Sequence, residues 1–217
     1  MSGELPSELG ALSTLDTLIF NDNTDLGGEI PVQICNLFQL EDLEVIYSSL
    51  VGKIPTCIDK LPALEYLLLS NNFLTGPLPD AVGGLVKLKG IVVDDNILTG
   101  DLTNLFDNLP NLISLHLEDN QFKGTITDSF LANHPNLRLL DMSTNEFQGS
   151  LPLHLLSHPS LQSIDLHSNF LTNAIPQPIP SNNQLLLLSL HNNSMTGALP
   201  RTLENLSNLV HIDGKYL

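Results

Sequence analysis

From Leu12 onward, apolar and polar positions in this chain keep to one spacing, Leu-x-x-Leu-x-x-Leu-x-Leu-x-x-Asn-x-Leu-x-Gly-x-Ile-Pro. The spacing returns every 24 residues, or 25 where a residue is inserted. The Leu-x-Leu centre of each unit alternates apolar and polar, the period of a half-buried strand. Self-similarity at this length predicts a solenoid in which each turn adds one strand to a growing parallel sheet. One polar column runs through the apolar pattern: Asn23, Ser48, Asn72, Asn96, Asn120, Asn145, Asn169 and Asn193. A buried amide needs partners for both its donor and its acceptor, and free backbone groups of adjacent turns can supply them. The column therefore predicts a structural ladder. Ser48 has fewer groups to offer than an amide and predicts a weaker turn.

Shortly after this column a second phrase recurs, as Gly28-Glu29-Ile30-Pro31, Gly52-Lys53-Ile54-Pro55, Gly76-Pro77-Leu78-Pro79 and Gly197-Ala198-Leu199-Pro200. Gly suits a tight bend and Pro presets the extended segment after it. Thr103 and Thr127 replace the Pro, Asn173 replaces the Gly, and extra residues near Asp25 and Asn133 are expected in loops. The Leu-x-Gly-x-Ile-Pro-x-x-Leu-Gly-x-Leu phrase resembles the plant-type leucine-rich repeat of receptor-like kinases, receptor-like proteins and polygalacturonase-inhibiting proteins, with similar repeats in algal and diatom proteins. The resemblance covers residues 1–217. It implies an α/β fold class, a leucine-rich repeat solenoid forming a right-handed superhelix, with a parallel sheet on the concave face and 3₁₀ turns and short strands on the convex face.

Both ends fall partway through a repeat. Met1-Ser2-Gly3-Glu4-Leu5-Pro6 aligns with Met195-Thr196-Gly197-Ala198-Leu199-Pro200, and Leu209-Val210-His211-Ile212-Asp213 opens a ninth strand. Neither end has the polar face that terminal repeats need, nor the paired-cysteine caps of the family. The expectation is one repeat domain of about eight full repeats belonging to a longer array. The other reading is a complete short protein whose ends a partner covers. A hydrophobic content of 42% with no linker or low-complexity stretch agrees with one domain. The longest aliphatic run, Leu185 to Leu188, is far short of a membrane span, and no secretory signal is visible at the start.

Cys35 and Cys57 lie in adjacent repeats, two positions out of register. With turns about 4.8 Å apart, a diagonal pair falls near the upper end of the disulfide range. Their arrangement resembles a pairing in plant receptor-like proteins, and two free half-buried thiols fit the sequence equally. The sequons at Asn192 and Asn205 point mildly to a glycosylated, extracellular or cell-surface protein, although such triplets also arise by chance in a repeat rich in Asn and Ser.

Side chains between the buried leucines face outward, and two groups emerge among them. Ile46, Tyr47, Tyr66, Leu68 and Val92 form an apolar and aromatic patch beside the acidic residues Asp94, Asp95, Glu118, Asp119, Asp141 and Asp165, with His116, His167 and His191 completing the face. None of the eight Lys and Arg residues occupies these columns. Like charges one repeat apart repel, so something positive is expected to relieve them. A protein or peptide with basic groups, anchored on Tyr47 and Tyr66, fits that description. A generally acidic solenoid of net charge −16 would also carry acids on every face. The same charge excludes nucleic acid, whose phosphates need Lys and Arg.

His167 and His191 share a column near Asp165, within reach of a common ion, but a third fixed ligand is missing and no metal is assigned. His134 and His158, each before a Pro, hold a position taken by Leu elsewhere and are expected to be structural. No Gly-x-Ser-x-Gly, His-Glu-x-x-His or phosphate-binding glycine loop occurs, and Asp141 and Asp165 lie on an open face that excludes no water. Neither catalysis nor a cofactor is expected. The predicted function is non-catalytic recognition of a protein or peptide, within a larger receptor-like or extracellular protein. A scaffold subunit, an inhibitor of a secreted hydrolase, and an ice- or surface-binding protein are the other readings, the last needing a flatter and more regular array than these mixed columns.

Overall fold

A computed structural model of the chain describes residues 3–181 and 184–214; Met1 and Ser2 of the repeat alignment lie outside them. Each repeat contributes a strand to each of two parallel sheets. The outer sheet contains β1 (Gly3–Glu4), β3 (Leu26–Glu29), β5 (Ser49–Gly52), β7 (Phe73–Pro77), β9 (Ile97–Asp101), β11 (Gln121–Thr125), β13 (Glu146–Ser150), β15 (Phe170–Asn173) and β17 (Ser194–Met195). The inner sheet contains β2 (Thr17–Ile19), β4 (Asp42–Glu44), β6 (Tyr66–Leu68), β8 (Gly90–Val92), β10 (Ser114–His116), β12 (Leu139–Asp141), β14 (Ser163–Asp165), β16 (Leu187–Ser189) and β18 (His211–Asp213). Strands pair only with those of adjacent repeats, in the order of the sequence.

Period-two alternation places the middle residue of the inner strands in the core: Leu18, Leu43, Leu67, Ile91, Leu115, Leu140, Ile164 and Leu188 are buried. Each such side chain stabilises the fold by about 1.5–3 kcal/mol relative to exposure. The core runs without a break through the repeats, as one cluster from Leu5 to Leu206.

The Asn column is buried or half-buried and works as a ladder. Asn120 Nδ2 donates to the carbonyls of Val93, Leu117 and Glu118 at 3.0 to 3.3 Å, while its Oδ1 accepts from the Leu98 amide at 2.9 Å. Asn72, Asn96, Asn145, Asn169 and Asn193 repeat the pattern. Ser48 reaches the carbonyls of Phe20 and Ile46 only at 3.4 Å. The repeat before it carries the extra residue near Asp25, and there the Leu26 amide bonds to the Asn23 carbonyl at 2.8 Å instead. The break in the column thus leaves no orphaned amide at Leu26.

The Gly-x-Ile-Pro phrase sets the return path. Gly28, Gly52, Gly76, Gly100, Gly124, Gly149 and Gly197 have φ between +73° and +105°, and Asn173 takes the same left-handed region at +64°. Pro6, Pro31, Pro79 and Pro200 are extended and lead into 3₁₀ turns. The repeats with Thr103 and Thr127 form only turns, with Asn104 and Leu131 left-handed. After Pro152 comes a single α-helical turn, α1 (Leu153–Leu156), where a 3₁₀ turn was expected. Cys35 and Cys57 are bonded, with Cα atoms 6.0 Å apart, tying two successive turns together.

Candidate functional site

The inner sheet presents one row by strict register: Leu68, Val92, His116, Asp141, Asp165 and Ser189 stand opposite one another on successive strands. Its character changes from apolar to acidic along the solenoid. Tyr66 begins the row one column earlier. Its ring lies over Gly90, where a Cβ would fall 2.9 Å from Cδ1, so the missing side chain seats the tyrosine. Lys89 pairs with Glu65 beside it. Leu68, Val92, His116, Asp141 and Asp165 are half-buried, Tyr66 is exposed, and Ser70, Gly90, Ser143 and Ser189, which share the outward columns, are buried.

Tyr47, Asp95 and Asp119 require a correction. They were expected to project from the sheet, but the strands have already ended at this column. Asp22, Tyr47, Asn71, Asp95, Asp119, Thr144, Ser168 and Asn192 all have φ between +48° and +56°. The chain turns at each of them, and they line a rim along one edge of the sheet. Asp and Asn tolerate this region through local hydrogen bonds, whereas bulky or β-branched residues rarely occupy it. At the rim a hollow of about 310 Å³ is lined by Thr24, Tyr47, Asn71, Phe73 and Asp95. Phe73, 53% exposed, was missed in the sequence because it begins an outer strand and belongs to none of the inner columns. The signal was there: a large apolar residue directly after the ladder Asn.

The repulsion expected among the acids is answered in part within the chain, at Asp94, Asp141 and Asp165. Asn21 Nδ2 donates to Glu44, Ser70 Oγ donates to Asp94, and Ser143 donates to Asp141 through Oγ at 2.6 Å and N at 3.0 Å. His167 Nδ1 lies 2.7 Å from Asp165, and His191 Nδ1 lies 3.4 Å from Asp213. The rings of His167 and His191 stack at 4.4 Å, 8° from parallel. Each imidazole therefore has its own carboxylate. Glu118 is held weakly: Oε1 is 3.5 Å from His116 Nδ1, and Oε2 is buried with no hydrogen-bond partner.

Titration follows from this layout. Burial pushes the Asp94 and Asp141 carboxyls above their ordinary values, against the hydrogen bonds from Ser70 and Ser143 and with added repulsion from Glu118. Asp95 is also raised, by burial first and then by Asp119 and Glu118. Pairing with Glu118 raises the His116 imidazole, and burial opposes it.

Other expected sites separate on inspection. Asn192 is exposed at the rim, whereas Asn205 is half-buried and its Nδ2 donates to the Ile179 carbonyl at 2.6 Å, where a glycan would displace it. His134 and His158 are buried, with Nε2 against the carbonyls of Phe106 and Leu131. Burial lowers the His158 pKa.

The Leucine Rich Repeat family model matches residues 63–85. No curated protein sequence matches the chain significantly. Among solved structures, the chain is similar to the plant peptide hormone receptor RGFR1 in complex with RGF2, with 32% identity over 99% of this chain and 34% of that one and a TM-score of 0.92. A TDR receptor is 32% identical over 96% of this chain and 36% of its own, with a TM-score of 0.89. A plant ice-binding protein is 29% identical over 99% of this chain and 68% of its own, with a TM-score of 0.87. The chain thus spans about a third of the length of the receptor chains it matches.

Proposed function

Because the chain is a plant-type leucine-rich repeat protein, we propose that it is a non-catalytic recognition module that binds a peptide or protein with basic groups along its inner face. The observation that carries this reading is the row from Tyr66, Leu68 and Val92 to Asp141 and Asp165, an apolar seat continuous with an acidic track. A partner's apolar side chains fit the first part and its Lys or Arg side chains the second. The rim hollow between Tyr47, Phe73 and Asp95 adds a place where a cation meets aromatic rings and a carboxylate. The similar receptor RGFR1 is complexed with RGF2, which supports a peptide as the class of partner. An extracellular setting agrees with the Cys35–Cys57 disulfide. Among the described residues, no helix is long and apolar enough to cross a membrane.

Panning a random peptide library on the chain tests this. Enrichment of peptides combining Lys or Arg with apolar residues, lost when Asp94, Asp95, Glu118 and Asp119 become Asn or Gln, is the expected result. Enrichment without basic residues, or unchanged by the substitutions, contradicts it. A second reading, ice binding, is favoured by the match to the plant ice-binding protein over 68% of that chain. A measurable gap between melting and freezing points in a chilled solution would support ice binding in place of peptide recognition.

A further inference from the structure

We propose that His116, Glu118 and Asp141 form a site for a divalent transition-metal cation such as Zn²⁺ on the inner sheet. The inference goes beyond peptide recognition and does not rest on it. His116 ends β10, Glu118 follows two residues later on the same face, and Asp141 stands opposite His116 on β12. One ligand atom from each lies within 4.8 Å of the others, and among the described residues this is the group of three that does so. Zinc bonds of about 2.0–2.1 Å at tetrahedral angles need ligand atoms roughly 3.3 Å apart. Side-chain rotations of these half-buried residues supply the remaining closure.

Two features distinguish this group from a merely acidic patch. The first is the imidazole: one nitrogen with two carboxylate oxygens is a donor set suited to zinc rather than to the oxygen-seeking Mg²⁺ or Ca²⁺, with a further position open to water. The second is the state of Glu118. Glu44, Asp94, Asp165 and Asp213 each have a donor or an imidazole from another repeat or from their own. Glu118 has only the His116 imidazole of its own repeat, 3.5 Å from Oε1, and its Oε2 is shielded from water with no hydrogen-bond partner. A buried acceptor left without a partner is unfavourable. A cation held by the Glu118 carboxylate and Asp141 gives that carboxylate a partner and offsets the charge of the neighbouring Asp94 and Asp165.

Calorimetric titration of the intact chain with ZnCl₂, and separately with MgCl₂, tests the site. The expected result is one zinc per chain, magnesium bound far more weakly, and about a tenfold or greater loss of zinc affinity in each of His116→Ala, Glu118→Gln and Asp141→Asn. Glu118→Gln and Asp141→Asn keep side-chain shape and remove charge, and thermal melting of each variant verifies the fold. The double variant His167→Asn, His191→Asn should bind zinc as the parent does. No zinc binding up to about 1 mM, zinc binding indifferent to the three substitutions, or binding lost only in the double variant each overturn the assignment.

Discussion

Asp94 shows how a single residue connects face chemistry to stability. Its folded pKa is raised above the ordinary 3.8, chiefly by burial. A raised acid binds its proton more tightly in the folded state, so its contribution is fully present below the unfolded pKa and is lost as pH rises through the folded value. At neutral pH the ionised carboxylate therefore opposes folding. Asp94→Asn, which can still accept from Ser70, should raise the melting temperature by roughly 1–3 °C at pH 7, with the gain shrinking at pH values below the ordinary one. A calorimetric scan at both pH values checks this, and a lower melting temperature at pH 7 would contradict it. Asn120→Ala should cost about 2–4 kcal/mol in urea unfolding, because it strands the Leu98 amide and several carbonyls. The ladder was legible in the sequence because its residues recur at a fixed offset. The rim was not, because the exposed face was carried three residues past the strand end at Glu44, where Tyr47 already turns left-handed.

At the level of elements, proline and cysteine decide the return path. Pro6, Pro31, Pro79 and Pro200 enter 3₁₀ turns, while Thr103 and Thr127 do not. The substitutions were visible in the sequence, but the turns that replace the helices follow from φ values at Asn104 and Leu131 that no repeat position announces. The Cys35–Cys57 bond closes a short loop, with a sequence separation of 22. Reduction should cost about 3 kcal/mol by loop entropy, seen as a lower urea midpoint with reductant; coincident curves would show that the bond contributes little. Between the two sequons, expression through a eukaryotic secretory pathway should give a glycan at Asn192 and none at Asn205, resolved by peptide mass spectrometry. An occupied Asn205 would show that its bond to Ile179 is dispensable.

For the whole molecule, area limits affinity. Nine inner strands about 4.8 Å apart, with some four residues of width, give an inner sheet of roughly 500 Å², well under one partner's share of about 800 Å² in a standard interface. Binding by this chain alone should be modest and should weaken as salt rises from low to physiological ionic strength, since exposed charges are screened within about 10 Å at 0.1 M. The solenoid was legible because one period repeats through the chain. The balance of the face was only partly so: whether an acid is free depends on Asn21, Ser70 and His167, partners that only the folded stacking of repeats reveals. The most direct test of the central claim is affinity capture from source tissue with two baits, the chain itself and the variant with Asp94, Asp95, Glu118 and Asp119 changed to Asn or Gln. A partner with a basic, partly apolar segment held by the first and lost by the second is the predicted result. The same partner on both baits, or none on either, would contradict recognition through the acidic inner face and its rim.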